Sequence, residues 1–241
     1  MLWGYSHGFS NFAGKHYTSM GRTALVFGST GLIGSHLLQW LATSGRYDLI
    51  RVFQRGELSP ALNGMELIEV DFSRLENLSA AIKGDDLFCC LGTTRKKAGS
   101  REGFRKVDFE YPAKIAKIAS SNGVTGFFVV SSLGADPGSS NFYLRTKGEM
   151  EQAIQEAGLP RLGIFRPSLL MGKRKEFRLG EKISQAMFPL VGWMLTGKFR
   201  KYRGIRATDV AKAMVEVALG GFPSSVFESD GIAAIAKKSK L

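Results

Sequence analysis

Cysteine and proline are both scarce in this chain. Of its 241 residues, 2 are cysteines and 7 are prolines. The two cysteines, Cys89 and Cys90, are adjacent in an apolar run, where strand alternation predicts that they point to opposite faces of a sheet. This arrangement favours buried free thiols in a reducing compartment over a disulfide-stapled fold. We therefore expect a cytoplasmic location.

Long hydrophobic runs are absent as well. No stretch approaches the roughly 20 apolar residues that a membrane-spanning helix needs, so a soluble protein without a membrane span is expected. The first residues lack a basic segment followed by an apolar core, which argues against a secretory signal. We interpret residues 1–20 as an N-terminal extension and residues 21–241 as one domain. The final Ser239-Lys240-Leu241 matches a peroxisomal address, although a basic tail reaches that tripeptide easily by accident.

Acidic residues are too few to balance the basic ones. With 33 lysines and arginines against 21 aspartates and glutamates, the formal net charge is +12. Such an excess calls for an anionic partner, which could be nucleic acid, a membrane surface, or a phosphorylated cofactor or substrate. Nothing in the chain resembles a helix-turn-helix, zinc or RNA-binding signature, so we expect neither nucleic-acid binding nor a metal site.

A glycine-rich stretch is the most informative feature that is present. The apolar run 24–27 leads into glycines spaced G-x-x-G-x-x-G, and helix-forming residues follow at once. A strand, a tight turn and a helix in this order aim backbone N–H groups and the helix dipole at an anion. An ordinary glycine-rich turn is the alternative. We predict a dinucleotide site formed by Gly28, Ser29, Thr30, Gly31, Leu32, Ile33 and Gly34.

Strands and helices alternate along most of the chain. Several of the predicted strands are unbroken apolar runs, which is typical of a parallel sheet covered on both faces. We therefore predict an α/β fold with a doubly wound parallel sheet, that is, a Rossmann fold. The alternation breaks at about 168–206, which we interpret as a small C-terminal lid. The predicted strands are 24–27, 49–53, 66–70, 85–91, 126–130 and 161–165.

The end of the second strand bears on the choice of cofactor. An enzyme that uses NAD would place a carboxylate there, about 20 residues past the last glycine, to hold the ribose hydroxyl. This chain has Gln54 and Arg55 instead. A guanidinium suits the 2′-phosphate of NADP, so we predict NADPH as cofactor. A surface arginine without a ligand is the alternative.

Other strand ends supply further candidates for the cofactor site. Asp71 and Phe72 could flank the adenine, although Asp71 could equally cap the following turn. Small residues after the fourth strand would let the nicotinamide lie close to the backbone. The further candidates at strand ends are Leu91, Gly92, Thr93 and Arg166.

Tyr143 and Lys147 carry the strongest chemical signal. Positions four apart share one face of a helix, and a lysine ammonium near a phenol favours proton transfer by that phenol. Ser131 and Ser132 end the preceding strand, where a serine hydroxyl can hold a substrate oxygen. A bare Y-x-x-x-K also occurs by chance on solvated helices. Its position behind a serine pair favours a catalytic group made of Tyr143, Lys147, Ser131 and Ser132.

Several segments together resemble a known family. The runs 88–95, 97–99, 140–143 and 165–167 make the chain similar to the Tat-interacting protein 2 (oxidoreductase) family of atypical short-chain dehydrogenases/reductases, over about 22–227. The resemblance implies a Rossmann fold that binds NADPH, with Tyr143 as proton donor. It also implies that Arg178 reaches the cofactor or substrate region. Many such reductases carry an asparagine in the long helix, where Asp108 is the nearest candidate here.

Together these observations predict an NADPH-dependent oxidoreductase acting on a small carbonyl or alcohol substrate. Basic residues follow the fourth and sixth strands, so a positive funnel would suit an anionic substrate, with a solvated basic surface as the alternative. The family is also credited with regulatory roles, so an NADPH-binding regulator that acts through protein partners is the alternative function. The chain is expected to be a monomer or a homodimer.

Overall fold

A computed structural model describes residues 21–56, 64–171, 202–222 and 226–239. Its principal element is a sheet of seven strands in which each strand pairs with its neighbours in parallel. The strands of this sheet are β1 (Thr23–Phe27), β2 (Leu49–Gln54), β3 (Met65–Glu69), β4 (Asp86–Cys89), β5 (Gly126–Val130), β6 (Arg161–Arg166) and β9 (Val226–Glu228). Two short strands, β7 (Leu170–Met171) and β8 (Ile205–Arg206), pair separately beside it.

Helices connect the strands and cover both faces of the sheet. None of the helices in the described parts of the chain is long and apolar enough to span a membrane. The helices are α1 (Leu32–Ser44), α2 (Arg95–Ala98), α3 (Arg101–Arg105), α4 (Tyr111–Ser121), α5 (Phe142–Glu156), α6 (Ala207–Gly220) and α7 (Ser229–Lys238). A 3₁₀ segment (Phe72–Leu78) follows β3, and a π-helical segment (Lys106–Glu110) joins α3 to α4.

The strand order places a crevice at the centre of the sheet. The order is β3-β2-β1-β4-β5-β6-β9, so the chain winds outward from β1 in one direction and then returns to its other side with β4. In open parallel sheets, ligands bind beyond the carboxyl ends of the strands at such a switch point. The predicted doubly wound parallel sheet is confirmed, and the crevice lies between the ends of β1 and β4.

Alternating strand residues divide the core into two layers. On one face, Ala24 and Val26 of β1 pack with α1, α6 and α7. On the other face, Leu25 and Phe27 pack with α4, α5 and the 3₁₀ segment. The cysteines follow the same alternation, because Cys89 belongs to the second layer and its neighbour packs against the first. Both thiols are free, as the sequence predicted.

The structure differs from the predicted elements at several places. The fourth strand is shorter than predicted, because β4 covers Asp86–Cys89 and the prediction was 85–91. Neither β9 nor α7 was predicted from the sequence. In the region expected to form a lid, the described ends 168–171 and 202–206 supply β7 and β8, and residues 172–201 lie outside the described residues.

A buried charged cluster lies at the amino ends of the strands, on the side of the sheet away from the crevice. Asp86, at the start of β4, has no exposed surface and accepts hydrogen bonds from Arg22, Arg161 and the Tyr47 hydroxyl, the last at 2.6 Å. Gly126 makes room for it, since a Cβ there would lie 2.4 Å from Asp86 Oδ1. Burial, reinforced by the nearby carboxylate, raises the pKa of Tyr47 well above its usual range. The cluster joins β1, β4 and β6 at their amino ends.

Candidate active site

The glycine turn is packed too tightly to accept side chains. Gly28 leaves β1 with φ +82°, and a Cβ there would lie 2.6 Å from the carbonyl carbon of Cys90. A Cβ on Gly34 would lie 2.1 Å from the carbonyl oxygen of Gly28, which also accepts a hydrogen bond from the N–H of Gly31 at 3.1 Å. Because β4 and α1 approach this closely, bare backbone lines the crevice at the head of α1.

The N-terminus of α1 offers donors without internal partners. Its N-cap is Gly31, which makes no side-chain cap, and the first turn holds no acidic residue. Ser29 is 4% exposed, and its Oγ has no hydrogen-bond partner within the part of the chain that the structure describes. A buried hydroxyl without a partner is costly, as are uncapped N–H groups at the positive end of a helix. Both features suit an anion such as the pyrophosphate of a dinucleotide.

Tyr143 and Lys147 lie one turn apart on α5. The side chain of Asn141 caps the helix by accepting from the N–H of Tyr143 at 2.9 Å, which fixes the start of α5. The Tyr143 ring packs on Phe104 with centroids 5.7 Å apart and stays partly exposed. Lys147 is only 3% exposed. The predicted pair is therefore brought together, with the phenol at the surface and the ammonium beneath it.

Asp108 is the counter-ion of Lys147. Its Oδ1 lies 2.8 Å from Lys147 Nζ, and its Oδ2 accepts the backbone N–H of Thr93 at 2.8 Å. Burial works to lower the pKa of Lys147, but Asp108, with help from Tyr143, raises it above the usual lysine range. The ammonium thus stays charged inside the protein. Sequence reasoning noted Asp108 only as a departure from an expected asparagine and missed this contact.

The two serines after β5 are placed differently. Ser131 is buried, and its hydroxyl donates a hydrogen bond to the carboxylate of Glu151. The same carboxylate accepts hydrogen bonds from two guanidinium nitrogens of Arg166. Ser132 is half-buried, and among the described residues its hydroxyl makes one long contact, of 3.5 Å, with the carbonyl oxygen of Leu133. The hydroxyl of Ser131 and the guanidinium of Arg166 are therefore both hydrogen-bonded to Glu151 inside the protein. The hydroxyl of Ser132 is the more available of the two serine hydroxyls for a ligand in the crevice.

Sequence reasoning missed Glu151, although a signal for it existed. Tyr143, Lys147 and Glu151 follow one another at intervals of four, so they form a single stripe along α5. An acidic residue that continues a catalytic stripe into the apolar core needs a buried partner. Arg166, at the end of β6, provides it, and contact with Glu151 raises the pKa of Arg166.

The ends of β2 and β3 bring three predicted residues close together. Arg55 is exposed, and its guanidinium lies 5.9 Å from the ring centroid of Phe72. Asp71 caps the 3₁₀ segment by accepting from the N–H of Ser73 at 2.9 Å and from its hydroxyl at 2.6 Å, which lowers the pKa of Asp71. Of the two readings of Asp71 from the sequence, the capping one is thus observed. The guanidinium of Arg55 and the half-buried ring of Phe72 therefore lie together beside the crevice.

The remaining candidates lie around the same crevice or outside the described residues. Leu91, Gly92 and Thr93 follow β4 directly, opposite the glycine turn. Thr30 is exposed on that turn, whereas the side chain of Ile33 is buried in the core, so only its backbone could face a ligand. Arg178 lies outside the described residues, as does most of the basic segment expected to follow β6.

Several known proteins are similar to this chain in sequence. A family model described as NAD(P)H-binding matches residues 28–219. Protein HTATIP2 of Rattus norvegicus is 32% identical over 231 residues, which cover 93% of each chain. A protein of Debaryomyces hansenii, named FMP52, mitochondrial, is 35% identical over 201 residues, covering 81% of this chain and 87% of its own. That name refers to a compartment other than the expected cytoplasm, so the cytoplasmic location stays a prediction.

Solved structures resemble the chain in fold. A putative NAD-dependent epimerase/dehydratase from Bacillus halodurans superposes with a TM-score of 0.65 and 19% identity, covering 91% of this chain and all of its own. MoeE5 in complex with UDP-glucose and NAD superposes with a TM-score of 0.63 and 18% identity, covering 90% and 81%. At these identities the likeness establishes the architecture of the sheet and its helices.

Proposed function

The chain belongs to the NAD(P)H-binding family, among the atypical short-chain dehydrogenases/reductases similar to HTATIP2, and from this membership we propose that it is an NADPH-dependent oxidoreductase. Its substrate would be a small carbonyl compound or the corresponding alcohol. The observation that carries this proposal is the pair on α5, a partly exposed tyrosine one helical turn before a buried lysine that is ion-paired with Asp108. The pair lies beyond the carboxyl ends of the strands, where such folds bind their ligands.

The residues around the crevice fit a dinucleotide. The backbone from Gly28 to Gly34 and the unpartnered hydroxyl of Ser29 would hold the pyrophosphate. Arg55 would hold the 2′-phosphate, and its neighbour Phe72 would lie against the adenine. Leu91 to Thr93 would line the nicotinamide end. When bound, NADPH supplies the hydride.

The side chains on α5 and after β5 would handle the proton. The Tyr143 hydroxyl would give its proton to the substrate oxygen in reduction, or take it back in oxidation. The Lys147 ammonium would stabilise the resulting phenolate by its charge, and it would donate hydrogen bonds to the ribose hydroxyls of the cofactor. We assign the substrate oxygen to Ser132, because the hydroxyl of Ser131 already donates to Glu151. Ser131 would then have a structural role, because its hydroxyl binds Glu151, which also binds Arg166.

A basic surface beside the crevice favours an anionic substrate. The helix α2 starts two residues after Thr93, and the cations of this segment are exposed. Arg105 is the exception, because it pairs with Glu149 and lies over the ring of Phe109. A carboxylate or phosphate ester would be drawn to this rim by its positive potential. The exposed cations are Arg95, Lys96, Lys97, Arg101 and Lys106.

The proposal is tested by a screen for NADPH consumption with small aldehydes and ketones, including members that carry a carboxylate or phosphate. We expect at least one to be reduced to its alcohol with stoichiometric loss of NADPH fluorescence, and the anionic members to be preferred. NADPH binding with no turnover across the screen would instead favour a regulator that acts through protein partners.

Arg55→Asp is expected to weaken NADPH binding about 10–100-fold. The substitution removes a charge-assisted contact worth about 1.5–3 kcal/mol and places a carboxylate beside the 2′-phosphate. NADH affinity should not fall, since a carboxylate can accept from a ribose hydroxyl. Fluorescence titration with both cofactors measures the change. Arg46→Asp is the matched control, because Arg46 is an exposed arginine just before the amino end of β2, whereas Arg55 follows its carboxyl end. Unchanged NADPH affinity in Arg55→Asp would refute this role.

A further inference from the structure

Asp108 occupies an unusual place in the fold. It lies in the π-helical segment between α3 and α4, where the helix carries one extra residue per turn. Such segments are rare and occur often at functional sites. The side chain is 1% exposed, so this carboxylate has been taken out of water at considerable cost.

The two oxygens of Asp108 bind two different parts of the site. Oδ1 receives the ammonium of Lys147 from α5, and Oδ2 receives the backbone N–H of Thr93 from the segment after β4. A Cβ on Gly92 would lie 3.5 Å from Oδ1, so the carboxylate is packed directly against that segment. One side chain thereby links the proton-transfer helix to the backbone that lines the nicotinamide end of the crevice.

The lysine depends on this contact for its charge. Asp108 is its hydrogen-bonding partner among the residues that the structure describes, which leaves other N–H groups of the ammonium available. The other titratable groups that face it are Tyr143, from its own helix, and Cys89, from β4. Burial raises the pKa of the Cys89 thiol to about 11. Without Asp108, burial would be the largest remaining effect on the pKa of Lys147, and it favours the neutral amine.

We propose that Asp108 is a positioning residue that keeps Lys147 charged and ties it to the backbone of Thr93, so that the ammonium presents its remaining N–H groups to NADPH from a fixed position beside that segment. The inference rests on the proposed function and adds a residue to it. An asparagine would keep the shape and one hydrogen bond but would lose the charge. The proposal therefore requires the negative charge of Asp108 to keep Lys147 protonated. A purely structural role would require only the shape of the side chain.

Three variants test the proposal: Asp108→Asn, Lys147→Met and the double variant. The first readout is the urea midpoint as a function of pH. In Asp108→Asn the pKa of buried Lys147 falls below its unfolded value of about 10.4, so between the two values the unfolded chain binds the extra proton. Stability should then rise from pH 6 to pH 9 in Asp108→Asn relative to the double variant. The wild-type protein should show no such slope from this group, because its lysine keeps the proton in both states throughout that range.

The second readout is NADPH affinity by fluorescence titration. Asp108→Asn should bind NADPH about tenfold more weakly at pH 9, and the loss should shrink toward pH 6 as Lys147 regains its proton. Lys147→Met and the double variant should be weak at every pH. The double variant replaces both charges by neutral groups, so it tests the affinity loss even where Asp108→Asn fails to fold.

Two results would overturn the inference. One is NADPH affinity within about twofold of wild type in the double variant. The other is a urea midpoint of Asp108→Asn with the same pH slope as the double variant. If instead the wild-type protein binds no NADPH, the proposed function fails, while the urea slope still decides whether Asp108 holds the charge of Lys147.

Discussion

Replacing Tyr143 by phenylalanine is expected to lower kcat for carbonyl reduction by about 10²–10⁴-fold. The substitution removes only the hydroxyl that would protonate the substrate oxygen. The ring stays packed on Phe104, and the cap from Asn141 to the backbone is untouched, so the start of α5 should keep its place. NADPH affinity should remain within about twofold of wild type, because Lys147 and its partner Asp108 are still in position.

Steady-state kinetics with the best substrate from the screen, combined with NADPH titration, checks this expectation. Tyr111→Phe is the matched control, since it removes the same atom from a tyrosine at the start of α4, and its ring packs on Phe72. It should leave kcat nearly unchanged. A Tyr143→Phe variant with wild-type kcat would show that the proton comes from another group, and the catalytic role of Tyr143 would have to be abandoned.

Asp86→Asn is expected to destabilise the fold by about 3–5 kcal/mol, a large share of the stability of an ordinary domain. Asp86 is the buried acceptor for Arg22, Arg161 and the hydroxyl of Tyr47. An asparagine retains one acceptor oxygen and turns an amide NH₂ toward a site where the two guanidinium groups can only donate. Two guanidinium groups would then lie against the start of β4 without a compensating charge.

Urea unfolding of wild type and variant measures this loss. Glu66→Gln is the control, because Glu66 also pairs with an arginine, Arg51, but its side chain is 47% exposed. That variant should cost less than about 1 kcal/mol. Since the cluster lies at the amino ends of the strands, NADPH affinity of folded Asp86→Asn should match wild type. Equal losses in both variants would contradict a special role for the buried cluster.

Local sequence carried enough information for the centre of the fold. The apolar run of β1, the glycine turn and the start of α1 are adjacent in the chain, and steric limits at Gly28 and Gly34 leave few conformations for them. The region from β9 to α7 was missed for a physical reason. β9 has three residues, and it becomes a strand because it pairs with β6, which is distant in sequence.

The sequence allowed candidate site residues to be named but not most of the contacts that the structure gives them. Tyr143 and Lys147 were proposed from helical spacing together with their position after the serine pair that ends β5. Which serine serves the crevice depends on Glu151 and Arg166, one on α5 and the other on β6, and no local pattern joins them. Likewise, the π-helical turn that carries Asp108 to Lys147 depends on how α3 and α4 pack, so its partner could be found only in three dimensions.

Fluorescence titration of the purified protein with NADPH and, separately, with NADH tests the central claim most directly. Dinucleotide binding at the glycine turn, together with Arg55 at the end of β2, predicts saturable NADPH binding at least about tenfold tighter than NADH binding. Equal affinity for the two cofactors, or a preference for NADH, would contradict the role of Arg55. Failure to bind either cofactor would contradict the account as a whole.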